Sequence, residues 1–137
     1  MIFIDSNVFI YAIDSTVTPK QREARRIVAE ALAPRASFCT SSQVLAEFAS
    51  VSIRKFKMSA PLILEFLSEM GRISRAFVDN QLVARAVEIQ GLYGIQFYDA
   101  QIVAAAERLN CDSILTEDLN DGQLYCGIVS MNPFKGV

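Results

Sequence analysis

The sequence predicts an α/β sandwich in which helices cover a mainly parallel sheet. Short apolar runs such as Ile2-Phe3-Ile4 and Ser113-Ile114-Leu115-Thr116 alternate with longer stretches patterned at the helical period. Each run ends at side chains that turn the chain or cap a helix, so strand, turn and helix follow one another. With 137 residues, 52% of them hydrophobic and 20% charged, the chain has the size and apolar share of one filled domain spanning residues 1–137.

The elements follow in order. Ile2 to Ile4 is a buried strand, and Asp5-Ser6-Asn7 supplies turn and capping groups for a helix over Val8 to Ile13. Thr18-Pro19 opens a second helix, Thr as cap and Pro at the first helical position, that continues through Gln21 to Leu32 and stops before Pro34. Ala36 to Thr40 is the second strand. Ser41 or Ser42 then caps a helix reaching about Lys57, whose stripe of Val44, Leu45, Phe48, Val51 and Ser52 faces the core, with Glu47 on its flank. Pro61 to Met70 is a separate helix ending at Gly71. Ile73 to Val78 is a third strand, and Asp79-Asn80 caps a helix from Gln81 to about Tyr93. A helix from Tyr98 to Leu109, a strand over Ser113 to Thr116 and an edge strand over Gly127 to Met131 complete the chain.

Composition excludes several classes of chemistry. Histidine is absent, which removes His-assisted serine and cysteine hydrolysis, His-ligated zinc and imidazole acid/base catalysis. Cys39, Cys111 and Cys126 are odd in number and lack any Cys-x-x-Cys pairing, so they read as buried thiols rather than as a disulfide framework or a zinc knuckle. The net charge of −2 argues against a non-specific nucleic-acid coat, although not against a nuclease that grips its polyanion through cations and local basic patches. No apolar run approaches the length of a membrane span and no leader pattern opens the chain, so the cytoplasm is the expected compartment.

Four acidic residues, Asp5, Glu47, Asp99 and Asp118, each fall where a strand ends or a helix begins. Ligands in open parallel sheets collect beyond the carboxyl ends of the strands, so these carboxylates can meet in one pocket despite their separation in sequence. Asp99 is the most telling of them. Ile102, Val103 and Ala106 share its helix face, and a helix N-terminus stabilises a carboxylate by only about 0.3–1 kcal/mol, against several kcal/mol for burying it unpaired. A cation is therefore expected, and oxygen ligands point to Mg²⁺ or Mn²⁺.

These segments resemble the PIN-domain ribonucleases, and among them the VapC-type toxins of type II toxin–antitoxin pairs. The resemblance rests on Asp5-Ser6-Asn7 after the first strand, Glu47 near a helix start, Tyr98-Asp99-Ala100 leading an Ala-rich helix, and Thr116 to Gly122 after a late strand. It implies a three-layer α/β/α sandwich with five strands in the order 3-2-1-4-5. It also implies an endoribonuclease dependent on Mg²⁺ or Mn²⁺, with Asp5, Glu47, Asp99 and Asp118 as the acidic quartet and Asn7 and Thr116 in support. Asp121 is a candidate additional ligand or water-holder. The resemblance further implies products with a 5′-phosphate and a 3′-hydroxyl, a cognate antitoxin protein as partner, a homodimer or higher toxin–antitoxin assembly, and no membrane association.

Two basic clusters are candidates for holding RNA phosphates: Lys20, Arg22, Arg25 and Arg26, and Arg54, Lys55 and Lys57. A solvated face explains both equally well, and cations at a helix C-terminus also complement its dipole. The apolar faces of Ala24 to Leu32 and Pro61 to Met70 serve either as core or as docking surface. Two rival functions remain open at this level: a phosphatase using Asp5 as an aspartyl nucleophile, although Asn7 stands where such enzymes commonly place a second Asp, and a non-catalytic binding module whose acids merely cap helices.

Overall fold

The computed structural model describes residues 1–137. Six strands, β1 (Ile2–Ile4), β2 (Phe38–Ser41), β3 (Ser74–Ala76), β4 (Ser113–Leu115), β5 (Leu124–Tyr125) and β6 (Ile128–Met131), form one sheet in the order β3-β2-β1-β4-β6-β5. All neighbouring pairs are parallel except β5 with β6. Omitting the two-residue β5, the order is the expected one, with β6 as its fifth strand. The middle strands are buried on both faces, with Phe3, Ile4, Cys39, Thr40 and Ile114 fully shielded, which is why they read as unbroken apolar runs rather than as an alternation.

Six helices connect the strands: α1 (Ser6–Ile13), α2 (Thr18–Leu32), α3 (Ser42–Arg54), α4 (Ala60–Met70), α5 (Asn80–Tyr93) and α6 (Phe97–Arg108). The connections from β1 to β2 and from β2 to β3 step in one direction across the sheet, and right-handed crossovers put α1 to α4 on one face. The path from β3 back to β4 reverses, so α5 and α6 pack as an antiparallel pair on the other face, and three layers result. A bidentate pairing of Arg108 with Asp79, the N-cap of α5, pins the far end of α6 to the start of α5. No helix is long and apolar enough to cross a membrane.

Several boundaries differ from expectation for local reasons. β2 is shifted to Phe38–Ser41, and β3 is shorter than expected. Helix α3 stops at Arg54 because Lys57 turns into the left-handed region (φ 53). The expected strand over Gly127 to Met131 begins one residue later, since Cys126 (φ 51) and Gly127 (φ 80) form a two-residue hairpin turn with both dihedrals positive. That turn creates β5 and leaves Cys126 only partly buried, whereas Cys39 and Cys111 are buried free thiols with sulfurs 3.0 Å apart.

A cavity of about 400 Å³ is an apolar groove between α1, α2, α3 and α4, lined by Phe9, Ile13, Val28, Leu32, Phe66 and Met70 among others. Part of the predicted docking faces of α2 and α4 therefore borders open space rather than core.

Phe3 is fully buried in the central strand, so Phe3→Ala is expected to destabilise the protein by about 3–5 kcal/mol. A fall in the urea midpoint with an unchanged slope would establish this.

Candidate active site at the carboxyl edge of the sheet

Strand β1 passes into α1 without a loop, and Asp5 is the joint. Its amide still donates to Leu115 O of β4 (3.1 Å), while its carboxylate caps α1 by accepting from the Ser6 amide (2.7 Å). The other carboxylate oxygen accepts from the Thr116 hydroxyl (2.7 Å), and Thr116 directly follows β4. β1 and β4 are hydrogen-bonded neighbours with Ile4 paired to Leu115, so the residues just beyond them, Asp5 and Thr116, emerge side by side.

The Thr116 hydroxyl carries three bonds. Besides donating to Asp5, it accepts from Asn7 Nδ2 (3.2 Å) and from the Asp118 amide (3.1 Å). Asn7 Nδ2 also donates to Asp118 Oδ2 (3.2 Å), which leaves Asn7 Oδ1 buried with no partner. Glu47 approaches from α3, where Ser41 caps the helix. Glu47 Oε2 accepts from the Ser6 hydroxyl (2.5 Å) and Oε1 from Gln43 Nε2 (2.7 Å). Asp99 stands in the first turn of α6, half-buried, and its side chain accepts no hydrogen bond; Ile102, Val103 and Ala106 below it are buried.

None of the four carboxylates is ion-paired; every salt bridge in the protein engages other acids. The electrostatic consequence is direct. Burial, followed by the charges of Asp118 and Glu47, pushes Asp5 up to about 7 against the opposing bonds from Thr116 and Ser6. Burial, with the same two charges, pushes Asp99 up to about 6. Asp118 stands at the surface with its carboxylate partly enclosed, and it too is raised, by desolvation and by Glu117 and Glu47 against the Asn7 bond.

No group of three or more Asp, Glu or Cys side chains is gathered tightly enough to hold a metal ion as it stands. The donor set nevertheless fits a hard cation. Mg²⁺ keeps several waters and takes only one or two carboxylates directly, with other groups reaching it through water. Unpaired carboxylates and an orphaned amide oxygen on Asn7 supply those two kinds of contact.

Asp121, the candidate additional ligand, is engaged by the C-terminal segment. Its oxygens accept from the Asn132 amide (2.8 Å) and Lys135 Nζ (3.0 Å), which ties the last residues of the chain to the loop after β4. The basic clusters divide as well. Arg26 is committed to Glu23 and Glu30 on its own helix, and Arg25 to Ala12 O. Lys20 reaches Tyr11 and Glu117, beside Asp118, whereas Arg22 is exposed and forms no ion pair. Arg54, Lys55 and Lys57 lie seven or more residues beyond Glu47, at the far end of a helix that starts at the acidic edge, roughly 10 Å away along its axis. Sequence reasoning missed the roles of Ser6, Gln43 and Gln101; the i, i+4 spacing of Gln43 to Glu47 was the one available signal.

A mainly parallel sheet covered by helices on both faces, with unpaired acids beyond its strand ends, places the chain in the α/β class. The PIN-domain family profile matches residues 2–120, and the chain belongs to that family. No curated protein matches at the sequence level. Among solved structures, the fold is similar to a toxin–antitoxin complex from Klebsiella pneumoniae, with a TM-score of 0.69, 17% identity and 98% of each chain covered. It is also similar to VapC20 of Mycobacterium tuberculosis, described as a sarcin-ricin loop cleaving toxin, with a TM-score of 0.67, 18% identity, and 83% of this chain and 87% of that one covered. A DNA-bound VapBC from Salmonella typhimurium gives a TM-score of 0.67, 17% identity and coverage of 96% and 97%.

Because an unfolded Asp ionises near 3.8 and Asp5 in the fold near 7, the folded state holds a proton that the unfolded state releases between those values. In chelator, the contribution of Asp5 to stability is therefore expected to be greatest below about pH 4, to decline as pH rises towards 7, and then to level off, by at most about 4 kcal/mol at about 1.4 kcal/mol per unit. The difference in urea unfolding free energy between the wild-type protein and Asp5→Asn should change by that amount in that direction across the range.

Proposed function

We propose that this protein is a metal-dependent endoribonuclease, the toxin of a toxin–antitoxin pair, which hydrolyses RNA phosphodiesters at the Asp5, Glu47, Asp99 and Asp118 edge with Mg²⁺ or Mn²⁺. The observation that carries the reading is the set of four carboxylates without a cationic partner beyond the strand ends of a PIN-domain chain, with an orphaned Asn7 oxygen on the side chain that holds Asp118. Such acids raise one another's proton affinity unless a cation joins them.

The residues divide the work. Asp5 is the fixed point, since the Ser6 amide and the Thr116 hydroxyl hold one oxygen each and leave each oxygen further acceptor capacity. Asp99, free of hydrogen bonds, offers both oxygens, and Asp118 closes the rim under the grip of Asn7. Glu47, held by Ser6 and Gln43, orients the attacking water. Asp5, Asp99 and Asp118 would hold Mg²⁺ or Mn²⁺, which would supply a more acidic water and positive charge for the phosphoryl oxygens, so no histidine would be needed. Cleavage then leaves a 5′-phosphate and a 3′-hydroxyl. An aspartyl nucleophile is disfavoured, because Asp5 is only 3% exposed and both its oxygens are hydrogen-bonded.

The partner reading rests on the neighbours described as toxin–antitoxin and VapBC complexes, together with the apolar groove between α1 and α4. An apolar segment of an antitoxin fits a groove of that lining better than RNA does.

Cleavage of a mixed RNA pool by the isolated protein tests the enzymatic proposal. Mn²⁺ should support cutting and chelator should stop it, and Asp5→Ala and Asp99→Asn should each reduce it by about 100-fold or more. Equal cutting in every sample would defeat the proposal. Phe66→Glu, in the groove and outside the acidic edge, should abolish antitoxin capture in a pull-down while leaving RNA cleavage intact.

A further inference from the structure

Two buried glutamines lie directly behind the acidic edge. Gln43 of α3 is 9% exposed and Gln101 of α6 is 5% exposed, and their side chains meet across the gap between the two helices. Gln101 Nε2 donates to Gln43 Oε1 at 2.6 Å. Gln43 Nε2 in turn donates to Glu47 Oε1 at 2.7 Å and to the carbonyl of Tyr98, the residue before Asp99, at 3.1 Å. A buried amide left without partners costs roughly 1–3 kcal/mol, so an apolar pair would pack this junction at less risk. The amides are there for what they hold.

Resting on the metal-site reading above, we infer that Gln43, oriented by Gln101, is a positioning residue that sets the Glu47 carboxylate at a fixed span from the helix start bearing Asp99. The direction of the relay follows from the donor and acceptor inventory. Because Gln101 presents its amide nitrogen, Gln43 must turn its oxygen towards Gln101 and its nitrogen towards Glu47 and Tyr98. Reversed, Gln43 would aim its oxygen at a carboxylate. Gln43 and Ser6 thus hold Glu47 by one neutral donor on each oxygen, which fixes its rotamer without a cation competing for its charge. Groups that orient metal ligands from behind typically govern metal affinity as well as geometry.

Calorimetric titration of the whole protein with Mn²⁺, alongside thermal melting in chelator, tests the inference. Gln43→Leu is expected to weaken Mn²⁺ binding by about 10-fold while the melting temperature in chelator holds or rises, and Gln101→Leu to weaken it by a few-fold. In a Glu47→Gln background, Gln43→Leu should add no further loss, because its action passes through Glu47. Unchanged Mn²⁺ affinity in Gln43→Leu, or an equal loss with and without the Glu47 carboxylate, would overturn the inference while leaving the metal site standing. A wild-type protein that binds no Mn²⁺ would overturn both. If Gln43→Leu does not fold, Gln101→Leu carries the same comparison, with unchanged affinity counting against the relay.

Discussion

A single hydroxyl joins the two halves of the acidic edge. Thr116 donates to Asp5 at the end of β1 and accepts from Asn7 in α1 and from the backbone of Asp118. Its own burial is complete, so none of these bonds is shared with bulk water. The bonds rely on the parallel pairing of β1 with β4, which delivers Asp5 and Thr116 to the same level of the sheet. A slip of one residue in that pairing would turn Asp5 to the other face and separate the two. Register in the core thus decides geometry at the surface.

This arrangement carries an electrostatic cost. Desolvation and mutual repulsion raise Asp5, Asp99 and Asp118 together, and no lysine or arginine relieves them. Cations are not scarce nearby, since Lys20 reaches Glu117 next to Asp118. The chain directs that positive charge to Glu117 and leaves the edge acidic. A fold optimised for stability alone would neutralise Asp5 or replace it with Asn.

Much of this could be read from the order of residues, for reasons that are local. Asp5 caps α1, and the apolar company of Asp99 proves to be buried helix, whereas α2 begins at Thr18 with Val17 as its N-cap and no side-chain capping bond, so Thr18 is the first helical residue and not the expected cap. The strand order came from the family resemblance rather than from pattern. What escaped was long-range or sterically unusual. Gln43 and Gln101 look like solvated polar residues, and only the folded chain joins them across 58 positions. Tyr98 reads as part of an apolar repeat but is 56% exposed. Cys126 gives no hint that it will adopt a left-handed turn beside Gly127, a position that Asn or Asp more often fills. Asp121 stands close to Asp118 in sequence, yet the chain turns at Gly122 (φ 83) and hands its carboxylate to Lys135.

The hairpin at Cys126-Gly127 bears on how this molecule can meet others. β5 spans only two residues and β3 only three, so both margins of the sheet offer few unpaired backbone groups to another chain's strand. The helical layers present far more surface, where shape and side-chain chemistry can discriminate one companion from another.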